Sequence, residues 1–121
     1  FDAFVEEFYA IWATLAAAGY EVIAFEGPGQ GGALRKHGLV FDHDWEKPTK
    51  AVLDHFEFAE ASLLGVSMGG YWCLRAAAFE PRIQRAIAFP PVYDWMVMAG
   101  GSADAMARAD EWDDQTQNEQ W

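Results

Sequence analysis

Only one cysteine, Cys73, occurs in these 121 residues, so no disulfide can close within the chain and nothing points to an oxidising compartment. Its expected state is a small buried hydrophobe. Basic side chains are scarce as well. Eight Lys and Arg face 19 Asp and Glu, and the net charge of −11 argues against nucleic acid or an anionic membrane as partner. No apolar run approaches the roughly 20 residues that span a bilayer. No signal peptide is visible, so a cytoplasmic protein is expected. Phe1 stands where an initiating methionine would, and the expectation is a piece of a longer protein or a processed form. Histidine is confined to His37, His43 and His55, in the first half of the chain.

What is present is globular. Hydrophobic residues make up 52% and aromatic residues 16%, enough for one small domain with a core but not for two. Phe1 to Ala18 has the spacing of a helix, with Phe4, Phe8, Ile11 or Trp12, and Leu15 along one stripe. Gly19 is placed to end it in a left-handed conformation. Tyr20 to Phe25 reads as a largely buried strand. Ala33 to Asp44 reads as an excursion packing one hydrophobic patch. Pro48 suits the first turn of a helix continued by Val52, Leu53 and Phe56. A strand over Ser62–Val66, a helix over Gly69–Phe79 and a strand over Ile83–Phe89 follow, with Pro90-Pro91 expected to stop the last. Ser102 is a candidate cap for a final helix carrying Met106, Ala109 and Trp112. Strands alternating with helices imply a parallel sheet in an α/β layered fold.

The chemistry concentrates at Gly65-Val66-Ser67-Met68-Gly69. This Gly-x-Ser-x-Gly lies between a strand signal and a small-residue helix, the context that a nucleophile elbow requires. Such a turn brings strand and helix so close that glycine is expected on both sides of the serine. The helix start behind Ser67 aims free N–H groups and a positive dipole end at an oxyanion. The bland alternative is a turn between two buried elements.

A second glycine cluster, Gly27-Pro28-Gly29-Gln30-Gly31-Gly32, formally matches the dinucleotide fingerprint after a strand. That fingerprint needs a helix opening at its third glycine to meet the pyrophosphate. Few residues separate Gly32 from the next apolar run and Gly38 interrupts them, so a full crossover helix does not fit. The phosphate-loop reading fails because Ala33 stands where lysine is needed. His43 between Asp42 and Asp44 lacks a metal-ligand spacing and reads as a solvated loop. No metal and no cofactor is expected. The six tryptophans are better suited to packing than to lining a pocket.

Glu26–Leu34 together with Gly65–Gly70 resembles the α/β-hydrolase superfamily. The closer likeness is to bacterial members with a Gly-Pro-Gly-Gln-Gly loop, the dihydroxy-pseudooxynicotine hydrolase and serine-aminopeptidase-like groups. It extends over residues 1–95, read as a partial α/β-hydrolase core with a parallel sheet and helices on both faces. Residues 96–121 are read as the start of a helical cap or an acidic tail. By this resemblance, Tyr20–Phe25, Ser62–Val66 and Ile83–Phe89 match the family's fourth, fifth and sixth strands. Ser67 matches the nucleophile and the Met68 N–H one oxyanion donor. Phe1 stands as a candidate for the second donor, and Asp94 as a candidate acid.

The departures are specific. The family's triad runs serine, acid, histidine along the chain, and no histidine follows Ser67 here. The family's third strand, which lies between its fourth and fifth, is missing. The 121 residues alone are therefore expected to be poorly stable and catalytically idle. The implied function is a serine hydrolase acting on an ester, an amide or a carbon–carbon bond beside a carbonyl. The alternative is a non-catalytic binding protein of the same fold, or an inactive fragment. The expected partner is a small-molecule substrate, not nucleic acid or membrane. Oligomeric state stays open, a homodimer included.

Overall fold

The computed structural model of the chain describes residues 4–91. Phe1, Asp94, the helix expected after Ser102 and the acidic segment 96–121 lie outside the described residues. A single turn of 3-10 helix, Val5–Phe8, runs into α1, Tyr9–Ala17. The Phe4 N–H donates to the Glu7 carboxylate at 2.8 Å, satisfying an otherwise orphaned donor. Phe8, Trp12 and Leu15 are half-buried along one side. Gly19 closes the element at φ +93°, the left-handed conformation expected of it.

Tyr20–Phe25 takes no strand, a correction to the sequence reading. The segment has no ladder partner. A groove of about 320 Å³ lies there instead, lined by Glu21, Ile23 and Phe25 together with Val52, Leu53 and residues 61–63. A strand is defined by the neighbour that completes its hydrogen bonds, and among the described residues none lies beside this segment.

The glycine cluster turns the chain through Gly29 (φ +82°) and then opens a helix, α2, Gly31–His37, where the sequence suggested an irregular excursion. Gly38 ends it at φ +64° after Arg35 and Lys36, cations that suit a helix C-terminus. Next comes α3, Glu46–His55, which buries Thr49 and Leu53.

The remainder is one βαβ unit: β1, Ala61–Ser67; α4, Met68–Phe79; and β2, Ile83–Pro91. The strands are parallel, with Leu63 opposite Ala86, Leu64 opposite Ile87, Gly65 opposite Ala88 and Val66 opposite Phe89. Leu63, Gly65, Ala86 and Ala88 form the side on which α4 lies; a Cβ on Gly70 would stand 3.4 Å from that of Ala88. Ile87 and Phe89, on the other side, are 53% and 70% exposed. Strand β2 continues through Pro90 and Pro91 rather than stopping before them. An edge strand can hold proline because one side of it owes no N–H to the ladder. The core gathers Trp45, Leu53, Trp72, Cys73, Ala76 and Ile83 between α3, α4 and the sheet.

Candidate active site

Ser67 is the last residue of β1 and the N-cap of α4. Its backbone lies at φ 57°, ψ −121°, a conformation that costs a non-glycine residue on the order of 1–3 kcal/mol. The pairing slips at this point, since Ser67 sits opposite Pro91 while Val66 sits opposite Phe89. The strand thus breaks away from its neighbour as the helix begins, and the Ser67 side chain is left exposed. Glycine is required at only one of the two positions flanking the serine. A Cβ at Gly65 would overlap the carbonyl of Gly69, whereas one at Gly69 meets nothing within 4 Å. The second tight contact is at Gly70, where a Cβ would lie 2.9 Å from the Pro91 Cα. Met68 opens α4, so its N–H is among the first-turn donors without a helical acceptor.

Cys73, on the same helix, does not compete as a nucleophile. It is buried and its thiol donates to the Gly70 carbonyl at 3.2 Å. Burial pushes its pKa up, which keeps it protonated.

The glycine cluster is held against α4 by aromatic rings. Trp45 and Trp72 stack with centroids 4.2 Å apart and planes 7° from parallel, and Phe41 lies 5.1 Å from Trp72. A Cβ on Gly27 would run into the Trp45 ring, and one on Gly29 would stand 2.7 Å from the Phe41 ring. Both indole N–H groups are buried without an acceptor among the described residues. These tryptophans pack, as their composition suggested, but their pairing across 27 residues had no local signal.

Glu26, just before the cluster, was not singled out by the sequence. Its carboxylate accepts from the Val5 N–H at 3.1 Å and from the Gly32 N–H at 2.9 Å. The start of α2, where a dinucleotide phosphate would need to sit, is therefore already occupied by a side chain of the protein. The only hint available beforehand was an acidic residue directly preceding a glycine turn.

One cluster of charged groups ties α4 to the residues that lead into α3. Arg75 of α4 donates to Glu46 at 3.0 Å and to Asp44 at 2.9 Å. The Arg75 hydrogen bond lowers the Glu46 pKa, and Lys47 does the same for Asp44. Asp42, His43 and Asp44 bring ligand atoms within 4.8 Å of one another. His43 bridges the two carboxylates at 3.2 and 3.1 Å, and Asp44 already carries Lys47 and Arg75. The set fits a solvated ion-pair loop better than a metal cage, which keeps its carboxylates free for the ion. His37, His43 and His55 are exposed, and none hydrogen-bonds Ser67. Among the described residues no helix is long and apolar enough to cross a membrane.

Residues 2–119 match the family described as "Alpha/beta hydrolase family". Hydrolase ffsE of Aspergillus flavipes is 43% identical over 77% of this chain and 24% of its own length. For hydrolase pyiE of Pyricularia grisea the identity is 40%, over 77% of this chain and 23% of that protein. Hydrolase acrC of Aspergillus aculeatus is 40% identical over 78% and 24%. The chain spans about a quarter of the length of the curated relatives it matches. No solved structure matches it.

Proposed function

The chain belongs to the alpha/beta hydrolase family, and on that footing we propose that Ser67 is the nucleophile of a serine hydrolase. The observation that carries this reading is the strained backbone of Ser67 at an exposed strand-to-helix junction that tolerates no Cβ at Gly65. Ser67 Oγ attacks a substrate carbonyl carbon as its proton passes to a histidine outside these 121 residues. The carbonyl electron pair moves onto oxygen, where the Met68 N–H and the positive end of α4 stabilise it. Collapse expels the alcohol, amine or carbon leaving group, and water releases the acyl group by the reverse geometry. Phe1 is the proposed second oxyanion donor and Asp94 the proposed acid.

The substrate in this reading is a small ester or amide, or a ketone cleaved at a carbon–carbon bond, met in the cytoplasm without cofactor or metal. The likeness to bacterial members rests on the Gly-Pro-Gly-Gln-Gly loop, whereas the relatives named above are fungal. The test is fluorophosphonate labelling and aryl-ester turnover in the intact protein, wild type against Ser67→Ala. Labelling confined to Ser67, with turnover reduced by at least about 10³-fold in the variant, is the expected result. Undiminished turnover in Ser67→Ala would sink the proposal. No labelling in either protein would favour the non-catalytic binding protein.

A further inference from the structure

We infer that Pro90 and Pro91, at the end of β2, are positioning residues that hold the Ser67–Met68 turn in its reactive shape. The inference rests on the serine-hydrolase reading of Ser67. Its basis is the path of β2 through its two prolines. Val66 lies opposite Phe89 and Ser67 opposite Pro91, so Pro90 is the extra residue of a bulge. The bulge falls where β1 leaves the sheet and Ser67 takes up φ 57°. The same two residues back the helix. A Cβ on Gly70, in the first turn of α4, would stand 2.9 Å from the Pro91 Cα and 3.3 Å from the Pro90 carbonyl oxygen. The prolines thus adjoin both the strand that enters the turn and the helix that leaves it. Burial does not explain them, since both are exposed.

Proline alters a backbone in two ways that bear on this turn. It has no N–H, so over these two positions β2 offers β1 no donor. A donor there would extend the ladder and draw Ser67 back towards the extended conformation that it must leave. Each ring also fixes its own φ near about −65°, which stiffens the wall behind Gly70. A stiff wall fixes where the first turn of α4 stands, and with it the Met68 N–H relative to Ser67 Oγ. That N–H serves an oxyanion absent from the bound substrate, so its misplacement lowers kcat rather than raising KM. An error of about 1 Å costs on the order of 10²-fold in rate. Loosening two residues that stay in place moves the turn by less, and a fall of about tenfold is the expectation.

The experiment uses the intact protein with Pro91→Ala, the double variant Pro90→Ala/Pro91→Ala, and Gly70→Ala. An aryl ester reports kcat and KM, and an aryl trifluoromethyl ketone reports oxyanion binding through its hemiketal with Ser67. The double variant is expected to lower kcat about tenfold, with KM changed less than about threefold. The inhibition constant of the ketone should rise by the factor that kcat/KM falls. Pro91→Ala alone should move both quantities in the same direction, by less. Gly70→Ala presses a methyl on the same wall, and should cost more with the prolines in place than in the double variant, whose wall can yield. Unchanged kcat and ketone affinity in the double variant overturn the inference, as does a fall in kcat with ketone affinity retained. Additive effects of Gly70→Ala and the proline pair overturn it too, because the prolines would then act elsewhere. If Gly70→Ala or the double variant fails to fold, Pro91→Ala decides by the same two readouts. Turnover that survives Ser67→Ala defeats the serine-hydrolase reading itself, a separate outcome.

Discussion

Tyr20–Phe25 and Ser62–Val66 are apolar runs of similar length, and only the second is a strand. β1 has β2 beside it from Ala61 to Ser67 and α4 across its face. The other run borders a groove of about 320 Å³. The apolar pattern of both specifies burial, which each attains in part. It does not specify a hydrogen-bonding partner, and an extended backbone without one has nothing to hold it in a ladder. Within β1–α4–β2 the partner comes 22 residues along the same chain, so each strand of the unit finds a ladder neighbour locally. The elbow at Ser67 is built on the stretch that has its partner, and inherits its rigidity.

The largest test of that contrast is Gly65→Ala in the intact protein. The added methyl would overlap the Gly69 carbonyl, a backbone group with no rotamer to retreat into. The expected loss of stability is at or beyond the upper end of the about 1–3 kcal/mol usual for overpacking, with Ser67 labelling abolished. Gly69→Ala is the matched control. Nothing lies within 4 Å of its Cβ, and alanine is the better helix former by about 1 kcal/mol, so stability should hold or rise. Denaturant midpoints for the two variants check both outcomes. Equal losses would mean that the strand and helix do not meet as described.

A smaller effect separates the two runs directly. Amides bridging β1 and β2 should exchange with solvent at least about tenfold more slowly than those of Val22–Ala24, because only the former must open to exchange. Mass-resolved hydrogen exchange on peptides from the 121-residue chain measures this. Equal protection of Val22–Ala24 would show that the first run has found a partner after all.

The same contrast explains what could be read from the residues alone. The order of elements from α3 to β2, the turn at Ser67 and the left-handed Gly19 each depend on neighbours a few positions away, and all were legible. The missing strand at Tyr20–Phe25 depends on a distant partner. The helix at Gly31 was hidden because its opening turn is capped by Glu26 through space and its glycines look like loop. Strand β2 outlasted its prolines because, among the described residues, no strand pairs with its outer edge, a fact of topology that local proline preference does not carry. At the site, Gly65 had its predicted reason and Gly69 did not. Glu26 and the Trp45–Trp72 stack were invisible, since each is defined by residues it meets only after folding.

The smallest predicted effect concerns the seam that joins α3 to the β1–α4–β2 unit. Arg82, in the turn between α4 and β2, donates to Glu80 at 2.9 Å and pairs with Asp54 at the end of α3 at 2.9 Å. It also reaches the Phe58 carbonyl at 3.4 Å. The Arg82 hydrogen bonds hold the Glu80 carboxyl well down, from 4.5 to about 2, and Lys50 and Arg82 lower Asp54 as well. A carboxylate more acidic in the folded state stabilises that state wherever both forms are ionised, which here means above pH 4.5. As the pH falls from there towards 2, the unfolded chain takes up the proton first and the contribution is lost. Glu80→Gln should therefore lower the melting temperature at neutral pH. The gap to wild type should close as the pH drops through that window. Adding salt should shrink it much less, because Glu80 is only 5% exposed. A gap that stays constant with pH would assign the seam to packing of Leu53 and Ile83 rather than to its charges, leaving α3 joined to the βαβ unit by apolar contact alone.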